Sequence, residues 1–138
     1  MTDPDLLAKR LALIETSVTE LRTLARPEAL LSDIREQRFV EHTLQIAIQA
    51  ALDAASHIVS DRRLGEPRTN RELFDLLARG GWIDEPLAES LRRMVGFRNV
   101  LVHGYDDVDL RVVQDVMQHH LDDLLALVRA VRIGSAPP

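Results

Sequence analysis

Apolar residues recur near the start of the chain at alternating intervals of four and three: Leu7, Leu11, Ile14, Val18, Leu21 and Ala25. That period draws one stripe along an α-helix. Thr2 or Asp3 ahead of Pro4 supplies an N-cap with a proline in the first turn, and Pro27 supplies a stop. A second helix is predicted from about Ser32 to about Ser60, roughly 40 Å long at 1.5 Å per residue. Its Ala47, Ala50, Ala51, Ala54 and Ala55 let neighbouring helices approach closely. Its apolar positions wrap so far around the axis that burial on more than one side is expected, which calls for a partner surface and hence a homodimer.

The segment Asp61 to Arg68, with Gly65 and Pro67, reads as a loop. Thr69 and Glu72 form a capping-box pattern opening a short helix through Leu73, Phe74, Leu76 and Leu77, which Gly80 and Gly81 end. A fourth helix starts at Asp84 as N-cap, with Pro86 in its first turn, and runs through Leu87, Leu91, Met94, Val95 and Leu101 to about His103, where Gly104 stops it. The acidic turn Tyr105-Asp106-Asp107 leads to a last helix from about Asp109, striped by Val113, Val116, His120, Leu124, Leu127 and Val131. Residues 131–138 read as a frayed tail. No strand-like alternation or internal repeat is present. The expected fold is all-α: one domain spanning 1–138, an antiparallel bundle of about five helices.

Composition narrows the function. The chain of 138 residues, 46% hydrophobic and 28% charged, is too apolar for a disordered protein. Aromatics make up only 4%, so Leu, Ile, Val and Ala must build the core. The absence of cysteine removes disulfides, thiolate nucleophiles and Cys-ligated zinc. The N-terminus MTDPDLLAKR lacks the basic-then-apolar order of a signal peptide, and no run approaches the roughly 20 apolar residues of a membrane span. A soluble, cytoplasmic location is the default expectation. A net charge of −5 argues against broad polyanion binding, so any RNA contact needs a local basic patch.

The richest chemistry lies in Arg98-Asn99-Val100-Leu101-Val102-His103-Gly104-Tyr105, which gathers a guanidinium, a carboxamide, an imidazole and a phenol at one helix end. Asn99 and His103 are four apart and share a face. Arg98 and His103 are five apart, about 140° around an ideal helix, and diverge unless the last turn unwinds. An imidazole can take the proton of a ribose 2′-hydroxyl, an arginine can hold a phosphate as negative charge builds, and Asn99 can orient either. A second reading stays open on the residues alone: Arg98 caps carbonyls or pairs with an acid, His103 favours the negative end of the helix, and Tyr105 packs.

The R-N-V-L-V-H-G-Y segment resembles the R-x4-H-x-Y signature of the HepT-like branch of the HEPN superfamily. The long helix R-F-V-E-H-T-L-Q-I-A-I-Q-A-A-L-D-A-A-S-H-I-V, the stretches P-R-T-N-R-E-L-F and G-W-I-D-E-P-L-A, and L-R-R-M-V-G-F-R-N are similar to that family too, over about Arg38 to Leu125. The resemblance implies a ribonuclease toxin of a two-gene toxin–antitoxin system that cuts RNA, tRNA among the known targets, without metal or cofactor. It assigns catalysis to Arg98 and His103 in a cleft at a homodimer interface. It further implies a minimal nucleotidyltransferase antitoxin of the MNT type, which transfers AMP onto Tyr105 and silences the toxin. The competing function is a non-catalytic helical module that binds a nucleotide or the nucleotidyltransferase at the same surface.

Other residues carry two readings each. Asp53, mid-way along the alanine-rich helix, either accepts a hydrogen bond from Arg98 or His103 and steers it, or lies on a polar edge. Arg62, Arg63, Arg68 and Arg71, with Arg92 and Arg93, either supply the RNA-binding patch or are ordinary solvated arginines. The adjacent pair His119-His120 has the wrong spacing for a shared metal on a helix, and no metal site is expected. His42 and His57 read as surface or interface residues, and Trp82 as a packing anchor.

Overall fold

The computed structural model describes residues 3–103 and 108–136. Among them are six α-helices and no strand: α1 (Pro4–Leu24), α2 (Ile34–Asp61), α3 (Asn70–Arg79), α4 (Glu85–His103), α5 (Leu110–His119) and α6 (Leu121–Ser135), with a 3₁₀ turn at Pro27–Ala29 between α1 and α2. The caps follow local chemistry. The Asp3 carboxylate accepts from the backbone N–H groups of Asp5 and Leu6, Asp33 from Arg35, Asp84 from Leu87, and Asp109 from Arg111, which satisfies donors that a helix start leaves open. At α3 the Thr69 hydroxyl accepts from the Glu72 N–H, while the Glu72 carboxylate reaches one residue beyond the expected box, to the N–H of Arg68.

Helix α2 is the hub, touching α1, α3, α4, α5 and α6. Its stripe of small residues, Ala47, Ala50, Ala51, Ala54 and Ala55, is buried on several sides by these neighbours. The wide apolar face of α2 is therefore covered within the chain and does not itself call for a second copy. Across the bundle α1 and α6 are clamped at both ends. Arg132 donates two hydrogen bonds to Glu15, at 2.9 and 2.6 Å, and Arg22 pairs with Asp122 at 2.6 Å.

Two expectations are corrected. The last helix is broken at His120, which makes six helices where five were expected. His120 departs from helical geometry (φ −122°, ψ −2°), with its ring held between Asp115 at 3.2 Å and Asp123 at 3.1 Å. Asp122 and Asp123 then occupy the first turn of α6, where negative charge suits the open N–H groups. Residues 131–135 are not frayed: α6 continues to Ser135 with Val131 fully buried. Trp82 explains the extension, because its indole packs on Gly134 where a side chain would collide with the ring. The same indole carries the Arg62 guanidinium 5.4 Å from its centroid, so Trp82 is a packing anchor.

Candidate active site at the C-terminal end of α4

Ala88, Leu91, Met94, Val95 and Leu101 bury one side of α4, which fixes its rotation. Asn99, Val100 and His103 are left exposed and Arg98 half-buried. The helix continues without unwinding to His103, so Arg98 and His103 stay on different faces, as their spacing requires. Arg98 turns towards α2, where its Nη2 donates to Gln49 Oε1 at 2.6 Å. Its Nη1 is only loosely held by Asn99 Oδ1 at 3.4 Å, and its Nε is buried with no hydrogen-bond partner. His103 makes no hydrogen bond or ion pair among the described residues. Tyr105 lies outside the described residues, as do Gly104, Asp106 and Asp107.

Asp53 reaches Arg98 only through an intermediary. Its Oδ1 accepts from Gln49 Nε2 at 3.0 Å, and its Oδ2 lies 3.6 Å from Arg10 Nε of α1, a charge contact longer than a hydrogen bond. Gln49 is the residue that sequence reasoning missed. The signal was present: Glu41, Gln45, Gln49 and Asp53 fall at intervals of four along α2, a polar row in an otherwise apolar helix. Towards the end of α4 this row borders a pocket of about 150 Å³ lined by Arg38, Glu41, His42, Gln45, Leu101 and Val108. Burial pushes the Glu41 carboxyl above its ordinary range, against the pull of Arg38. Of the histidines read as surface or interface residues, His42 is exposed and His57 half-buried.

The six arginines expected to form a basic patch are not equivalent. Arg92 is occupied by Asp75, Glu85 and Glu89 together, and the hydrogen bonds to Glu85 and then Glu89 hold it above its ordinary range. Arg93 pairs with Glu89 at 3.2 Å. Arg62, stacked on Trp82, also lies 3.5 Å from Asp61. It and Arg63 follow the C-terminus of α2, about 20 Å along the axis from Gln49 at 1.5 Å per residue. Arg63 instead borders a cleft of about 430 Å³ with Ser56, Ser60 and Glu66, which contains none of the polar residues of α4. Arg71 differs. Its guanidinium lies against Gly96, 2.5 Å from where a Cβ would stand, and Gly96, Asn99 and His103 share one face of α4 at spacings of three and four. The side chains of Arg68 and Arg71 have no hydrogen-bond or ion-pair partner among the described residues. Nor do the described residues contain a group of three or more His, Asp or Glu placed to hold a metal ion.

This geometry joins a comparison with known proteins. A family model described as Ribonuclease HepT-like matches residues 14–131. The chain belongs to the HepT-like ribonuclease family. It is 32% identical over 129 residues to the mRNA nuclease HepT of Shewanella oneidensis, covering 93% of this chain and 97% of that one. It is 34% identical over 109 residues to the tRNA nuclease HepT of Aphanizomenon flos-aquae, covering 78% and 74%. In structure it matches the tri-AMPylated Shewanella oneidensis HEPN toxin, solved in complex with an MNT antitoxin. The TM-score there is 0.89 at 31% identity, over 95% of this chain and 99% of that one. The all-helical HepT-like fold is thus shared along nearly the whole chain. Among the described residues no helix is long and apolar enough to cross a membrane.

Proposed function

We propose that this HepT-like chain is the ribonuclease toxin of a toxin–antitoxin pair, acting as one domain in the cytoplasm and cutting RNA with Arg98 and His103. One observation carries the reading. In a chain that matches a named RNA nuclease along nearly its whole length, the last turns of α4 offer an imidazole with no partner among the described residues and a guanidinium whose side-chain partners there are neutral amide oxygens. A guanidinium without a carboxylate keeps its charge for a phosphate.

The reaction is transesterification at phosphorus and uses no metal. Neutral His103 takes the proton of a ribose 2′-hydroxyl; the 2′-oxygen bonds to the adjacent phosphorus as the bond to the 5′-oxygen breaks. The imidazolium or water returns a proton to that leaving oxygen. Arg98 Nη1 offsets the charge that builds on the non-bridging oxygens, and Asn99 orients the phosphate. Because Arg98 and His103 diverge on one helix, a homodimer with both α4 ends facing a single cleft is the arrangement that lets the two groups meet across it. Arg71, lying against Gly96 of α4, supplies a phosphate contact on this face, with Arg68 in the loop before α3 as a further cation. Arg92 and Arg93 serve the fold through their ion pairs with Asp75, Glu85 and Glu89.

The partner is an MNT-type nucleotidyltransferase antitoxin that transfers AMP to Tyr105. The added phosphodiester and adenosine would compete with RNA for Arg98 by charge and by bulk. The test is expression of the chain and its Tyr105→Phe variant, each with and without an MNT-type nucleotidyltransferase antitoxin. The expected result is growth arrest relieved by the antitoxin together with a mass gain of AMP units, both lost in the Phe variant. Retained growth with tight antitoxin binding and no toxicity would instead favour a non-catalytic binding module.

A further inference from the structure

The groups that link Arg98 to α2 have one consistent direction of hydrogen bonding. A guanidinium only donates and a carboxylate only accepts, so the amide between them can satisfy both in one orientation alone. Gln49 must turn its Nε2 towards Asp53, at 3.0 Å, and its Oε1 towards Arg98 Nη2, at 2.6 Å. Arg10, reaching across from α1, holds the far oxygen of Asp53 at 3.6 Å. The row Arg10–Asp53–Gln49–Arg98 thus spans α1, α2 and α4.

From this geometry, and resting on the ribonuclease reading above, we propose that Gln49 is a positioning residue that tethers Arg98 by a neutral oxygen, with Asp53 setting the orientation of its amide. The arrangement separates two tasks that a direct carboxylate would merge. The tether fixes Nη2 and leaves Nη1, loosely held by Asn99 at 3.4 Å, for a phosphate oxygen. The neutralising carboxylate stands one residue removed, so Arg98 is anchored and still cationic. Glutamate at position 49 would pair with Arg98 directly and compete with the RNA phosphate.

The distinguishing experiment uses the full chain and an in vitro transcript of whichever cellular RNA the wild type cuts most strongly. Gln49→Leu removes the tether and is expected to lower kcat about tenfold, the size of a lost hydrogen bond to a charged group, with little change in KM. Gln49→Glu is expected to be the poorer enzyme at pH 8 and to regain activity relative to wild type as pH falls. Protonated glutamate copies the amide, its O–H donating to Asp53 and its carbonyl accepting from Arg98. The charged groups around it are Asp53 on the same helix, Arg98 on α4 and Arg10 on α1, so the pH-dependent ratio reads this row. Asp53→Asn frees the amide to turn over and is expected to fall between wild type and Gln49→Leu. Thermal melts check that each variant folds; should Gln49→Leu fail, the isosteric Gln49→Glu carries the test.

Wild-type rates in Gln49→Leu, or a Gln49→Glu deficit that is flat with pH, would overturn the tether while leaving the ribonuclease reading intact. Absence of cleavage by the wild type would overturn the ribonuclease reading instead. In that event the tether is still read by nitrogen NMR of the arginine side chains: slow rotation of the Arg98 guanidinium in wild type and fast rotation in Gln49→Leu support it. Fast rotation in both refutes it.

Discussion

The Arg71 guanidinium lies across Gly96 of α4, closer than any side chain at that position would permit without displacing it. A glycine inside a helix costs about 0.5–1 kcal/mol relative to alanine, so its presence here favours the close approach over helix stability. Gly96→Ala should therefore stabilise the fold, raising the melting temperature by about 2–4 °C, because the displaced atom is the tip of a flexible side chain. RNA affinity should fall at the same time. Arg71→Ala should weaken binding and lower the slope of log affinity against log salt by about one, the mark of a single lost phosphate contact. Fluorescence anisotropy across a salt series checks both, and an unchanged slope in Arg71→Ala would remove Arg71 from the RNA path.

Glu15 and Glu41 should give pH dependences of opposite sign. The hydrogen bonds from Arg132 lower the Glu15 carboxyl below its ordinary 4.5, so its contribution is present above that value and is lost as pH falls through the folded-state value. Glu15→Gln should lower the stability at pH 7, by no more than about 1 kcal/mol for so exposed a pair, with the gap closing towards pH 3. Burial raises Glu41, so its ionised form opposes folding and protonation relieves it. Glu41→Gln should raise the melting temperature at pH 7, with that gap closing as pH falls through the raised folded-state value and gone below the ordinary 4.5. Melts of both variants from pH 3 to 7 compare the signs directly.

The C-terminal turn of α6 should matter to stability. Val131 is fully buried, and truncating it to alanine should cost about 2 kcal/mol from lost apolar burial and the space left behind. A chain ending at Ala130 should melt earlier still, since it also loses the Trp82 contact and the Arg132–Glu15 pair. Chemical denaturation of the two measures this, and an unaltered midpoint in the shortened chain would show the turn to be dispensable.

Periodicity and capping residues made α1 to α4 legible, because each of those helices has a stripe and a local start signal that do not depend on the rest of the molecule. The break at His120 was hidden, since it depends on two aspartates closing on one ring while the apolar stripe runs on past it. Gly134 lies in the stretch read as a frayed tail and is instead a seat for Trp82, a contact between residues some fifty positions apart. At the site, residue chemistry drew attention to Arg98 and His103 but left a structural reading open beside the catalytic one, and the family resemblance alone favoured catalysis. What Arg98 touches could not be read from the sequence, because Gln49 meets it, and Asp53 acts on it through Gln49, only once α2 and α4 pack together. Burial on many sides of α2 was read correctly, but its neighbours are within the chain.

Catalysis by Arg98 and His103 is read from RNA cleavage by the purified chain. Wild type, Arg98→Ala and His103→Ala are incubated with total cellular RNA, with and without EDTA, after melts establish that all three are folded. Both substitutions lie near a helix end, one half-buried and one exposed, where truncation should cost little stability. Cleavage by wild type that is indifferent to EDTA and falls at least a hundredfold in each variant is the predicted result. Cleavage that persists in His103→Ala, or that disappears with EDTA in the wild type, would contradict it.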